Sequence, residues 1–243
     1  LTTEDVRISK TSERVLVVTL NRPDQGNALT AEMASAIQQA LSSMDAETRV
    51  VLLEAAGENF CTGRNGAMPK AGSRATALDL RLAVSDPVLD FYEALRSVPV
   101  PVVARVQGRA AGAGCAIAAL ADVAIAAESA SFQVPEMNHD IAPTLVMSAL
   151  ADRIPRAALS RLVLTRDAVA AHEAKVLGLI GLVAPDDKLE AETDRIIGQL
   201  AGNSLPVLRA VKAFLRTSPE TSFASRKELA ALMNCVATAE RFR

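Results

Sequence analysis

Short β-branched runs that stop at turn residues and alternate with helical stretches are the feature that most narrows what this chain can fold into. Val15-Leu16-Val17-Val18-Thr19-Leu20 runs straight into Asn21-Arg22-Pro23-Asp24-Gln25-Gly26-Asn27, which is turn chemistry throughout. Thr30 then caps an amphipathic stretch in which Met33, Ile37, Leu41 and Met44 recur at helical spacing. Residues 50–53 read as a strand, 78–95 as a helix closed by Val98-Pro99-Val100-Pro101, and 101–106 as a strand. Residues 116–120 then read as a helix and 123–126 as a strand, and Val6-Arg7-Ile8-Ser9 adds one strand at the start. Strand and helix in alternation predict an α/β core with parallel strands. From Asp187 the strand signal disappears, and helical pieces follow, broken at Gly202-Asn203 and near Ser218-Pro219. The expected division is therefore a core over 1–185 and a helical region over 186–243.

Charge and composition exclude several classes. With 26 basic against 28 acidic residues in 243, nothing marks nucleic acid or an anionic membrane as a partner. Cys61, Cys115 and Cys235 are odd in number and widely spaced, so neither a disulfide framework nor a zinc ribbon is expected. Two histidines without an HExxH spacing give no metal site. The opening Leu1-Thr2-Thr3-Glu4-Asp5-Val6-Arg7 has no signal-peptide pattern, and no apolar run reaches the roughly 20 residues of a membrane span. A soluble cytoplasmic protein is the expectation. Alanine supplies 45 residues, Trp none and Tyr one, which predicts close packing of helices with few aromatic anchors.

Two glycine turns carry the candidate chemistry. Gly108-Arg109-Ala110-Ala111-Gly112-Ala113-Gly114 lies between a strand and a helix, but its glycines do not fit GxGxxG, and no Lys-Ser or Lys-Thr follows. It reads either as close packing by small residues or as amides at a helix N-terminus that could bind a negatively charged oxygen. The segment Asn59-Phe60-Cys61-Thr62-Gly63-Arg64-Asn65-Gly66, within a glycine-rich stretch from 57 to 72, also leaves a strand through glycine. Together the two turns could each give one donor to a shared oxyanion hole.

At this point the chain resembles the crotonase, or enoyl-CoA hydratase/isomerase, superfamily. The resemblance is carried by Leu20-Asn21-Arg22-Pro23 with Asn27-Ala28-Leu29, by Phe60-Cys61-Thr62-Gly63, and by Pro99-Val100-Pro101-Val102-Val103-Ala104 with Gly108 and Gly112-Ala113-Gly114-Cys115. It continues through Asp122-Val123-Ala124-Ile125-Ala126, Ala130-Ser131-Phe132, Pro135-Glu136, and Ala174 with Gly178-Leu179-Ile180 and Leu182-Val183. The resemblance implies a crotonase-like spiral of ββα turns, a helical trimerisation region, and assembly as a homotrimer or a dimer of trimers. It implies an acyl-coenzyme A thioester as substrate, with no covalently bound cofactor. The thioester oxygen would sit between the backbone N–H groups of Arg64 and Ala113, with Glu136 as catalytic carboxylate. Gly63, Asn65, Gly66 and Gly112 would line the substrate, and Arg22 and Lys212 are candidates for the coenzyme A phosphates or else solvated surface cations.

Departures from the family pattern shape the expected reaction. Where typical hydratases carry a glutamate after the glycine turn, this chain has Ala116; the second glutamate position is kept as Glu136. Splitting water across an enoyl thioester uses two carboxylates, whereas one suffices to carry a proton from C2 to C4. The expectation is thus a Δ3,Δ2-enoyl-CoA isomerase-type shuttle. The alternatives are an atypical hydratase, another crotonase reaction such as decarboxylation or C–C hydrolysis, or a silent acyl-CoA-binding homologue. Arg64 replaces a small residue and could add charge near the thioester, pair with Glu136, narrow the acyl channel, or sit exposed on its loop. His139 and Asp140 are titratable neighbours of Glu136 that could supply an alternative acid or base; Asp140 reads first as the cap of a helix starting near Ala142-Pro143. Cys61 and Cys115 have no histidine placed to activate them and read as core filler.

Overall fold

The computed structural model describes residues 4–11, 14–66 and 72–242. The opening tripeptide and residues 67–71 of the glycine-rich stretch lie outside the described residues. Strand β1 (Val6–Lys10) pairs antiparallel with β2 (Val15–Leu20). Helix α1 (Ala31–Ser42) follows, its Thr30 hydroxyl accepting from Met33 N–H at 3.2 Å as the sequence predicts. It ends before Met44, which packs against the core from beyond the helix. β3 (Val50–Ala55) then joins β2 in parallel.

The stretch expected as one helix over 78–95 is α2 (Ala77–Leu80), a π turn (Arg81–Ser85) and α3 (Asp86–Arg96). β4 (Val102–Val106) leads into a short β5 (Arg109–Ala111) and α4 (Ala113–Leu120). β6 (Val123–Ala127) leads into β7 (Ser131–Gln133) and a 3₁₀ turn (Glu136–His139). After these come α5 (Thr144–Leu150), α6 (Arg156–Thr165), β8 (Val169–Ala170), α7 (Ala171–Leu177) and β9 (Leu182–Ala184). The chain then continues as α8 (Leu189–Ala201), α9 (Leu205–Thr217) and α10 (Phe223–Ala239).

The strands form two sheets, one ordered β1-β2-β3-β4-β6-β9 and one ordered β5-β7-β8. From β2 onward every pair in the first sheet is parallel, as the strand–helix alternation requires. Each turn of the chain lays one strand in the first sheet and a short one in the second before a helix returns it. β4 and β5 do so, then β6 and β7; after β3, Cys61 bridges to Ala110 in the same way. This is a ββα spiral. Residues 50–53 of β3 and residues 102–104 of β4 are buried, the pattern of strands covered on both faces.

Alanine's role is clearest in α4, where everything but Leu120 is buried. Such a helix has no polar face, and only small side chains let it sit so deep. The C-terminal region also engages the core. α8 packs on β3, β4 and β6 and adds Leu189 and Ile197 to the apolar interior. Lys212 on α9 corrects the surface-cation reading: it is 6% exposed, and its ammonium donates to Asp122 Oδ2 at 2.6 Å. The same oxygen accepts from Val102 N–H at 2.7 Å, so this lysine has a partner inside the fold and does not project as a phosphate contact. α9 and α10 lie against each other and leave Val211, Leu215, Phe223, Leu232 and Val236 more than half exposed.

Candidate active site

The first glycine turn is clamped from both sides. Asn27, fully buried, donates through Nδ2 to the carbonyls of Ala56 at 2.8 Å and Asn59 at 2.7 Å, while its Oδ1 accepts from Arg22 N–H at 2.7 Å. Thr62 N–H donates to Gly26 O at 2.9 Å. Leu29 then makes a parallel bridge to Arg64, using Gly63 O and Asn65 N–H, at 2.9 and 2.8 Å. A parallel bridge of this kind occupies the flanking residues' groups and turns the Arg64 N–H to the opposite side from Leu29. Gly63 itself has φ +135°, a conformation only glycine adopts readily.

The second turn is seated on the first. Cys61 N–H donates to Arg109 O at 3.1 Å, and Ala111 N–H to Cys61 O at 2.9 Å. Gly112 has φ +52°, ψ −116°, and its N–H donates to Gln133 O at 2.9 Å. Ala113 is the first residue of α4, so its N–H has no acceptor within the helix and lies at the positive end of the helix dipole. Gly114 answers to packing: a Cβ there would stand 2.1 Å from Cys61 O. The glycine run thus packs closely at Gly114 and sets Ala113 at a helix N-terminus after Gly112.

Glu136 arrives by register. β5 and β7 pair Ala111 with Gln133, which brings the Pro135-Glu136 turn alongside Gly112. A Cβ on Gly112 would meet Glu136 Oε1 at 2.6 Å and Gly63 Cα at 3.7 Å, so the carboxylate and both turns converge on one point. Thr62, Gly63, Arg64, Gly66, Gly112, Ala113 and Glu136 line a cavity of about 280 Å³ whose further walls include Val84, Val88, Leu145 and Val146. Oε2 of Glu136 is buried without a hydrogen-bond partner. Burial raises the Glu136 pKa above the ordinary carboxylate value, against opposing contributions from backbone hydrogen bonding and from His139.

That shift fixes a stability signature. Below the ordinary glutamate pKa both folded and unfolded forms carry the proton, and burial adds nothing pH-dependent. As pH rises, the unfolded chain ionises first, and the folded state loses stability until its own raised pKa is passed. Glu136→Gln is therefore expected to melt above wild type at pH 7.5, with the gap closing toward pH 4. Parallel thermal melts at the two pH values test this; a gap that is constant with pH would contradict it.

The remaining candidates separate. His139 is exposed but lines the cavity; Asp140 does not. Nor does Asp140 cap α5, which begins at Thr144 after Pro143 with no side-chain cap; it closes the 3₁₀ turn in a left-handed conformation, φ +57°. The Arg64 guanidinium lies over Gly66, where an added Cβ would meet Cζ at 2.9 Å. Asn65 is exposed and Arg22 half-buried, both outside the lining; the Arg22 side chain pairs with Asp5 at 3.5 Å and hydrogen-bonds Gln25. Ala116 is fully buried and is not part of the lining. Burial pushes the Cys61 thiol up to about 11 and the Cys115 thiol up to about 12, so both stay protonated and neither is a nucleophile. Sequence reasoning took Asn27 only as part of a motif and left Tyr92 unread. Its signal was its spacing of four and eight residues from Val88 and Val84, on the cavity side of α3.

The fold and this convergence of two glycine turns on a buried carboxylate define a crotonase-fold protein. The family described as enoyl-CoA hydratase/isomerase matches residues 10–240. Human enoyl-CoA hydratase domain-containing protein 3, mitochondrial, is 31% identical over 84% of this chain and 67% of its own length. The 2,3-dehydroadipyl-CoA hydratase of Escherichia coli is 28% identical over 86% of this chain and 81% of its own. Among solved structures, an enoyl-CoA hydratase of Mycobacterium smegmatis superposes with a TM-score of 0.89 at 27% identity, covering 96% of this chain and 90% of that one. The chain spans about two thirds of the length of the mitochondrial relatives it matches. It belongs to the enoyl-CoA hydratase/isomerase family.

Proposed function

We propose that the protein binds an unsaturated acyl-coenzyme A and moves its double bond from C3 to C2, with Glu136 as the one proton carrier. The observation that carries this reading is that, among the described residues, Glu136 is the single carboxylate lining the cavity, while the position after the glycine turn is a buried alanine, Ala116. Glu136 takes a proton from C2, and the electrons move onto the thioester oxygen, where the N–H groups of Arg64 and Ala113 stabilise the charge. Each such donor is typically worth about 2.7–4 kcal/mol in the transition state. The same carboxyl returns the proton to C4, and the double bond settles between C2 and C3. The walls formed by Val84, Val88, Leu145 and Val146 suit a reaction that needs no water.

Hydration of a 2-enoyl-CoA is the second reading, favoured by relatives whose names describe hydratases. Assaying 3-enoyl and 2-enoyl substrates side by side separates the two. Wild type is expected to isomerise faster than it hydrates, and Ala116→Glu to shift the ratio toward hydration. Rapid hydration of crotonyl-CoA by wild type would overturn the isomerase preference. Assembly as a homotrimer or dimer of trimers belongs to the same reading, supported by the apolar side chains that α9 and α10 leave uncovered. Sedimentation of the same preparations as a monomer at micromolar concentration would remove that part alone.

A further inference from the structure

We infer that Tyr92 is a specificity-determining residue whose phenol donates a hydrogen bond to an oxygen carried on the acyl chain, making the substrate class an oxygen-bearing acyl-CoA and not a plain alkenyl one. This rests on the acyl-CoA reading above.

Tyr92 is 4% exposed and lines the cavity with Val84 and Val88, four and eight residues before it across the π turn and α3. Three buried polar side chains outside the cavity have partners: Asn27 holds two carbonyls, Thr193 donates to Leu189 O, and Lys212 holds Asp122. The Tyr92 hydroxyl makes no hydrogen bond among the described residues; its ring meets Phe91 at 6.1 Å between centroids. The titratable groups near it are Glu136, Cys61, Cys115 and Arg64, all at or beside the two amide turns. Burial above all, then the negative charge of Glu136, holds the proton on the phenol. It is a standing donor and not a base.

A donor so placed discriminates through the ligand that fills the cavity. A hydrocarbon chain expels water and leaves the phenol buried without a partner. An acyl oxygen within reach restores the bond that water made. A buried group lacking its partner typically weakens binding about 10-fold or more, and sites built this way reject the analogue lacking the polar group strongly.

The test uses the intact protein and its Tyr92→Phe variant. Dissociation constants are measured calorimetrically for hexanoyl-CoA and for its 3-oxo, 4-oxo and 5-oxo derivatives. Wild type is expected to bind at least one oxo derivative about 10-fold more tightly than hexanoyl-CoA. Tyr92→Phe is expected to erase that preference, chiefly by binding hexanoyl-CoA about 10-fold more tightly, since no hydroxyl is then left without a partner. The 3-oxo compound also gains by enolising against the amides, so only the part of its preference lost in Tyr92→Phe counts. Absence of any preference, its survival in Tyr92→Phe, or equal weakening of all four ligands would each overturn the inference while leaving the acyl-CoA reading intact. No binding of any of the four would overturn both.

Discussion

Glu136→Gln is expected to cut isomerase turnover by about 10²–10⁴-fold, the usual contribution of a positioned general base, while leaving acyl-CoA affinity nearly unchanged. The amide is close to the carboxylate in shape, so the cavity and the approach of Gly112 to Oε1 are kept. What is lost is a group that can take the C2 proton and give it back at C4. Binding energy from the coenzyme and the two amides does not depend on that exchange, so the loss should fall on kcat and hardly on KM. Burial has also raised the Glu136 pKa, so wild-type kcat/KM should show an acidic limb lying above the ordinary glutamate value. The residual activity of Glu136→Gln should lack it. Unchanged turnover would move the proton-carrying role elsewhere. His139 lines the cavity and would be examined first; Asp140 stands outside it.

Gly114→Ala should damage both stability and activity, and more than any other single methyl on these turns outside the left-handed positions. The new carbon would stand 2.1 Å from Cys61 O and 2.9 Å from Cys61 C. Those are backbone atoms, themselves bonded to Ala111 N–H, and they cannot swing aside as a side-chain end can. α4 must then lift from the first turn, carrying the Ala113 N–H with it. Overpacking of this kind typically costs about 1–3 kcal/mol, occasionally more. Displacing one oxyanion donor costs about 10²–10³ in rate. Thermal melts together with single-turnover kinetics on the folded fraction measure the two separately. Wild-type kinetics in a folded variant would show that the two turns need not be held at this spacing.

The larger elements were legible because each satisfied a period or a cap. β2, β3, β4 and β6 are runs of β-branched and small apolar residues bounded by turns, and α1 opens on a capping threonine. β7, β8 and β9 were not legible as strands: at two or three residues each, they are too short for any pattern to form. α4 begins at Ala113, three residues before the reading by periodicity, because glycine at 114 looks like a breaker. Its place in the helix follows from a neighbour, Cys61, that is distant in sequence. The π turn at Arg81–Ser85 left no mark for the same kind of reason. At the site, Glu136 and the two amide turns were found through motif order, and the structure brings them to one cavity. Lys212 was misread because a lone lysine on an amphipathic helix is ordinarily solvated, and only the fold shows that Asp122 waits beneath it.

That buried pair has a consequence for how the chain comes apart. Removing α9 would take the Lys212 ammonium away from Asp122, which would keep the Val102 N–H and the neighbouring Arg153 guanidinium, and removing α8 would bare the face of β3, β4 and β6. The Asp122 side chain is 20% exposed even in the intact fold and would turn to water, so the larger loss is the apolar cover that α8 gives the sheet. Losing the last three helices would therefore not leave a spiral of undiminished stability behind. The helical region and the spiral are therefore expected to melt together in a single transition, and a chain shortened to the spiral to pass to a protease what the intact chain withholds.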